Sequence, residues 1–182
     1  MIAEIRSLSR PINNALNSER SRLSGSAINL IIALSTGLGR SFEPLLPIFI
    51  YTLLGLCARA NKLFVTRAKA CIITIIEYTR SSSILSYLAE SVDHKSPSLR
   101  LAVAEGVLAC LDTFNPSDGA RARRFEDIIK VITQDARADV RAIGKKICAA
   151  YKAMLPEGVA WLVLIFSTLE AMSHLYHPAV RL

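Results

Sequence analysis

The sequence lacks the cysteine pairs and histidine clusters from which metal sites are commonly built. It has three histidines, one tryptophan and four cysteines in 182 residues, and no CxxC pair. Cys57, Cys71, Cys110 and Cys148 are 14, 39 and 38 residues apart, each within an apolar stretch. This usage is typical of small core residues in a reducing compartment.

Long hydrophobic runs are also missing. The longest, 45–58 and 159–166, are shorter than the roughly 18 residues that a bilayer-spanning helix needs. The first ten residues carry Glu4, Arg6 and Arg10 and are not followed by the apolar segment of a secretion signal. With 52% hydrophobic and 20% charged residues, the chain is not a disordered tail. We therefore expect one compact cytoplasmic domain without a membrane partner.

No segment shows the alternation of a β-strand, whereas helical spacing runs through almost the whole chain. Phe125, Ile128, Ile129 and Ile132 follow the i, i+3, i+4, i+7 pattern of a buried helix face. Turn residues divide the chain into about eight helices, near 21–38, 43–58, 62–79, 82–92, 96–113, 119–134, 138–154 and 156–170. Because the connections are short, consecutive helices should be antiparallel neighbours in an all-α solenoid or bundle.

A repeated turn-to-helix junction favours the solenoid. Residues 61–65, 95–100 and 136–141 align, and Leu23 fits a fourth junction. The apolar positions Leu23, Val65, Leu99 and Val140 are 42, 34 and 41 residues apart, which is the period of a two-helix HEAT-like unit. Ser96 is suited to cap the helix that follows it. The fold class that we predict is an α-solenoid of HEAT-like hairpins.

Catalytic motifs are absent from the sequence. Gly37 to Arg40 lacks the GK[ST] of a phosphate loop and is interpreted as a helix C-cap. His174 and His177 form at most half of a metal site, and His94 beside Asp93 suits a turn cap better than a dyad without a nucleophile. We therefore expect neither enzyme activity nor a metal or cofactor.

Basic residues cluster at the repeated junctions. The net charge is +7, and no acid occurs between Glu43 and Glu77. Equivalent turns of a solenoid lie along one edge, so these clusters predict a basic ridge for an acidic partner. Phe64 is the only aromatic residue near a junction, which disfavours nucleic acid and favours an acidic protein surface. The clusters comprise Arg59, Lys62, Arg67 and Lys69, then Lys95 and Arg100, then Arg137, Arg141, Lys145 and Lys146.

Two of these arginines have an alternative interpretation. Arg100 and Arg141 each follow the apolar junction residue directly, a position from which an arginine often pairs with an aspartate of the adjacent repeat. Asp93 and Asp135 are the candidate partners, and for these two arginines we favour the structural role slightly.

The junctions resemble those of the TOG domains of CLASP-type microtubule-associated proteins. The resemblance runs from Arg20 to Glu157 through the segments 61–78, 91–100 and 125–141, in the same order and with similar unequal spacing. The first repeat of the family, with its tubulin-facing tryptophan, has no counterpart in residues 1–19, and Trp161 is not given that role. We expect a segment 1–19 that is weakly structured or partly helical, a TOG-like domain 20–157 and an apolar C-terminal helix and tail 158–182.

The resemblance implies a tubulin- or microtubule-binding module that stabilises microtubules or promotes rescue and localises to the cytoskeleton and spindle. It implies no nucleotide, metal or nucleic acid. Two alternatives remain, a HEAT scaffold that self-associates or joins other proteins through its apolar terminal faces, and a membrane-associated helical protein, ranked last. The tubulin-binding residues implied by the resemblance are Arg22, Lys62, Lys95, Ser96, Arg100, Arg137, Arg141 and Lys145.

Overall fold

A computed structural model describes residues 1–114 and 119–155, and these form a succession of helices. Each predicted helix between residues 21 and 154 is present, some with shifted bounds. The helices are α1 (Ile2–Ser7), α2 (Ser9–Leu16), α3 (Ser21–Leu38), a 3₁₀ helix (Gly39–Leu45), α4 (Leu46–Cys57), α5 (Lys62–Thr79), α6 (Ile84–Ala89), α7 (Pro97–Thr113), α8 (Gly119–Thr133) and α9 (Ala138–Met154).

The helices pack as a two-layered solenoid. Consecutive helices pair as the hairpins α2–α3, α4–α5, α6–α7 and α8–α9. The second helices stack in the order α3, α5, α7, α9, and the first helices stack as α2, α4, α6, α8. Each hairpin therefore contacts the next, which confirms the predicted α-solenoid.

The core fills the space between the two layers. Phe49, Ile75, Val107 and Phe125 are fully buried, and so is the rest of the predicted 125–132 stripe. All the cysteines are free and buried, as expected. Burial raises the pKa of the Cys57 thiol to about 12, which disfavours the reactive thiolate at neutral pH.

Several local features differ from the sequence expectation. The predicted helix 43–58 begins as a 3₁₀ helix around Pro44, and α4 starts only where Pro47 fits its first turn. The helix predicted over 82–92 shortens to α6. The helix starts align Phe64, not Val65, with the buried junction residue Leu99, because each lies three residues after the N-cap. Gly39 ends α3 with φ of 53°, which confirms its predicted role as a C-cap.

Some predicted features fall outside the described residues: the helix 156–170, the tail 158–182, Trp161, and the pair His174 and His177. Within the described part, one stretch, Ser21–Cys57, is long and apolar enough to be a candidate membrane span. It comprises α3, the 3₁₀ helix and α4, and half of its most apolar window is buried inside the solenoid.

Most of the N-terminal residues before Ser21 lie in α1 and α2, and α2 forms the first hairpin with α3. Asn13 donates a hydrogen bond from Nδ2 to the Ile48 carbonyl at 3.0 Å, which ties α2 to α4. The division of the chain at residues 19 and 157 stays a prediction.

Candidate functional site

The four turns inside the hairpins lie side by side along one edge of the solenoid. We call them turn A (17–20), turn B (58–61), turn C (90–96) and turn D (134–137). Arg59 of turn B donates from Nη2 to the Asn17 carbonyl of turn A at 2.9 Å. Ser96 of turn C donates to the Ala58 carbonyl of turn B at 3.4 Å. Arg100, just after turn C, pairs with Asp135 of turn D. We call this row the turn edge.

Side chains one helical turn past the N-cap hold three of the turns closed. Ser24 donates to the Leu16 carbonyl at 2.8 Å across turn A. Arg100 donates from Nη1 to the His94 carbonyl at 2.9 Å, and Arg141 donates to the Asp135 carbonyl at 2.7 Å. Both arginines therefore satisfy backbone acceptors that the turns would otherwise expose.

Asp135 joins turn C to turn D. Its carboxylate accepts from Arg100 Nε at 2.6 Å and Nη2 at 3.1 Å, and from the Arg137 backbone N–H at 2.8 Å. The Asp135 side chain is 5% exposed and that of Arg100 is 15% exposed. Hydrogen bonding from Arg100 lowers the pKa of Asp135. The structure thus gives Arg100 the structural partner anticipated from the sequence, whereas Arg141 binds backbone carbonyls and no carboxylate of a described aspartate.

Three of the predicted basic residues project freely. Arg22 follows turn A, Lys62 begins α5 after turn B, and Lys95 lies in turn C. All three are exposed, and none of their side chains has a hydrogen-bond or ion-pair partner among residues 1–114 and 119–155. The turn edge therefore presents a row of cations that a partner surface can contact without breaking an internal bond.

The other predicted residues are placed differently. Arg137 is exposed and pairs with Asp139, with Nε 2.9 Å from Oδ1. Ser96 is the N-cap of α7, but its hydroxyl makes no capping bond and reaches turn B instead. Lys145 is exposed about 10 Å along α9 from its start, so it lies beside the turn edge rather than in a turn.

Two arginines at the edge are absent from the predicted site. Arg20 is the exposed N-cap of α3 in turn A. Arg59 contacts Glu19 at 3.2 Å and lies 4.9 Å over the Phe64 ring, so it stabilises the junction of turns A and B. Both arginines lie at the repeated junctions, and this position in the sequence is the feature from which they could have been predicted.

The edge is suited to binding an acidic protein surface. Phe64 is 4% exposed, so the aromatic residue nearest a turn offers no stacking platform for nucleic-acid bases. Glu19, Asp135 and Asp139, at or beside turns A and D, are each paired with an arginine. In turn C, Glu90 accepts from the Tyr51 hydroxyl at 2.9 Å, and Asp93 is exposed. His94 accepts from the Ser96 N–H at 3.0 Å, the turn-capping role expected for it. The described residues hold no His, Cys, Asp or Glu group able to bind a metal.

A second surface feature is an apolar groove on the outer side of the α2–α3 hairpin. Its volume is about 370 Å³, and no charged residue lines it. Leu8, Leu23 and Leu30 line it while being 55%, 47% and 44% exposed. In contrast to Leu99 and Val140, Leu23 is not covered by any neighbouring hairpin in the described part of the chain. The groove is lined by Leu8, Pro11, Ile12, Ala15, Leu23, Ser26, Ala27 and Leu30.

Comparison with known proteins identifies relatives of this chain. The sequence model of the family described as CLASP N terminal matches residues 1–171. The match begins before and ends after the stretch 20–157 in which we predicted the resemblance. It includes the N-terminal residues in which we expected no counterpart of the first repeat. Among curated proteins, none matches this chain.

One similar solved structure is that of crescerin, which according to its description uses a TOG domain array to regulate microtubules in the primary cilium. Its TM-score to this chain is 0.70, with 16% sequence identity over 86% of this chain. The chain spans 65% of the length of that structure. At this identity the likeness establishes the TOG-type solenoid fold.

Proposed function

The chain belongs to the CLASP N-terminal family, and from this premise we propose that it is a tubulin- or microtubule-binding module that acts through the turn edge. The module has a regulatory and not a catalytic role: it stabilises microtubules or promotes their rescue, at the cytoskeleton and the spindle. Arg22, Lys62 and Lys95 make the primary contacts. Arg100, Arg141 and Ser96 hold the turns in register, and Arg137 and Lys145 extend the basic surface.

The observation that carries this proposal is the row of unpaired cations. Arg22, Lys62 and Lys95 come from three successive hairpins and lie on the edge that hydrogen bonds hold in register. The net charge of +7 adds a long-range attraction between the chain and an acidic surface. Such complementarity to an acidic surface raises association rates and selects the binding orientation. Tubulin, the partner implied by the TOG resemblance, is strongly acidic.

The test is co-sedimentation with stabilised microtubules and gel filtration with free tubulin, both across a salt series. The edge variant carries Arg22→Glu, Lys62→Glu and Lys95→Glu. We expect its affinity to fall at least tenfold at low salt, because three attractive contacts become repulsive. The wild-type affinity should fall as salt rises, since exposed charges are screened beyond about 8 Å at physiological ionic strength.

A matched control carries Arg10→Glu, Arg40→Glu and Arg123→Glu. These residues are exposed, and each lies at the end of its helix or connection remote from the turns. The control has the same net charge as the edge variant. If both variants lose affinity equally, only total charge matters and the edge assignment is wrong. Unchanged affinity of the edge variant, with helicity retained, also contradicts it.

The apolar groove on the α2–α3 hairpin favours a second candidate function, a scaffold that self-associates. Two copies that pack their grooves against each other would bury Leu8, Leu23 and Leu30 around a two-fold axis. Analytical ultracentrifugation of the chain should then show a dimer whose affinity is insensitive to salt, and Leu23→Glu should dissociate it. A monomer at tens of micromolar would refute this candidate.

A further inference from the structure

A small basic pocket lies between α6 and α8, away from the turn edge. Its volume is about 120 Å³, and its lining includes two arginines and one serine but no acid. It is placed near the beginning of α8, whereas turn D follows the end of that helix. The lining residues are Ser82, Leu85, Ala120, Arg121 and Arg124.

Of the three consecutive serines before α6, Ser82 is the one in the pocket. Ser81 is 6% exposed and donates to the Glu43 carboxylate at 2.6 Å. Ser83 is occupied by a hydroxyl–hydroxyl bond to Ser81 at 2.7 Å. The Ser82 hydroxyl has no hydrogen-bond partner within residues 1–114 and 119–155, and it is half-buried in a surface turn. Ser82 is therefore the hydroxyl of this segment that is available to react.

The arginines approach this serine from the neighbouring repeat. Arg121 and Arg124 are three residues apart on α8 and so share one face of the helix. Arg124 already crosses to α6, with Nη1 donating to the Ser86 hydroxyl at 2.6 Å. Guanidinium groups bind phosphate oxygens with two parallel N–H donors, and the bonds are stronger than those to a neutral hydroxyl.

We propose that Ser82 is a phosphorylation site and that its phosphate binds Arg124 and Arg121 in this pocket. A protein kinase would transfer the γ-phosphoryl group of a nucleoside triphosphate. The Ser82 Oγ forms the new P–O bond, the bond from the γ-phosphorus to the bridging oxygen breaks, the nucleoside diphosphate leaves with that electron pair, and the hydroxyl proton passes to a base. The resulting charge of about −2 meets two arginines across α6 and α8.

The consequence is a link between adjacent hairpins. α6 and α8 are the first helices of the hairpins that carry turns C and D. A phosphate held by Arg124 fixes the position of α6 relative to α8. Phosphorylation of Ser82 thereby stiffens the stack of these two repeats.

The experiment compares the full chain with phosphoserine genetically incorporated at position 82 with the unmodified chain. We expect the melting temperature to rise by about 3–6 °C, the net effect of about one charge-assisted hydrogen bond in a chain of this size. Arg124→Gln should abolish the rise while leaving the unmodified chain folded. Phosphoserine at the exposed Ser41 is the control, and it should give no rise.

Three results would overturn the proposal. The first is an unchanged or lowered melting temperature, and the second is a rise that persists in the Arg124→Gln variant. The third is stabilisation of the unmodified Ser82→Ala chain by inorganic phosphate to the same extent, which would mean that the pocket binds free phosphate. Mass spectrometry of the chain from its native cells should find the phosphate on Ser82 in preference to Ser81 and Ser83.

Discussion

Removing the Asp135 carboxylate should cost about 2–3 kcal/mol of folding free energy. Asp135→Ala deletes the two bonds from Arg100 and the bond from the Arg137 N–H. Removing one partner of a buried ion pair typically costs about 3–5 kcal/mol. The loss here is smaller because Arg100 keeps its 2.9 Å bond to the His94 carbonyl. For a domain of this size the corresponding fall in melting temperature is about 4–12 °C.

Urea unfolding measures this loss, with Asp127→Ala as the matched control. Asp127 also pairs with a basic residue, but its side chain is 77% exposed, so its removal should cost less than about 0.5 kcal/mol. In an Arg100→Met background, Asp135→Ala should cost clearly less than in the wild type, since the shared bonds are already gone. Equal losses in both backgrounds, or a loss as small as that of the control, would refute the assignment of Asp135 as the link between turns.

The pH dependence of the same link has a defined sign. Because the pKa of Asp135 is lowered in the folded state by the Arg100 hydrogen bonds, the folded chain holds a proton on Asp135 less readily than the unfolded chain. Its stabilising contribution is present above the unfolded pKa of about 3.9 and is lost as the pH falls through the lower folded pKa. The stability difference between wild type and Asp135→Ala should therefore be constant near neutral pH and shrink below about pH 4.

Four further predictions concern packing, local conformation and cysteine reactivity. Gly144→Ala should destabilise by about 1 kcal/mol, because its Cβ would lie 3.3 Å from the Thr133 Cα, whereas Gly55→Ala, with open space, should stabilise. Arg80→Gly should raise stability by up to about 1 kcal/mol, since Arg80 ends α5 with φ of 49°. Urea titrations check all three variants. Cys57 should resist a thiol reagent at neutral pH until the chain unfolds, because its pKa is about 12.

The fold could be predicted from the sequence because helical periodicity and turn residues extend over whole segments. The start of α7 follows from Pro97, whose fixed φ suits the first helical position, and the start of α5 follows from the Asn61 side chain, which caps the Leu63 N–H. Both effects act within a few residues. The one-residue error at Val65 arose because Phe64 and Val65 are both apolar, and only packing between helices decides which of them is buried.

The candidate site was less predictable. Clustered charge locates the turn edge, but it does not separate cations that face a partner from those that hold the turns together. Arg100 and Arg141 occupy equivalent positions, yet Arg100 binds a carboxylate of the next turn while Arg141, within the described part of the chain, binds backbone carbonyls alone. That difference depends on where turn D lies relative to turn C, a tertiary distance that no local pattern encodes.

The most direct test of tubulin binding at the turn edge is zero-length cross-linking. A carbodiimide joins a lysine amine to a carboxylate in contact with it, and mass spectrometry then identifies the linked residues. In a mixture of the chain with tubulin, Lys62 and Lys95 should be the main cross-linked lysines, and the yield should fall as salt rises. Cross-links confined to lysines away from the turns, such as Lys130 on α8, or none at saturating tubulin, would contradict the account.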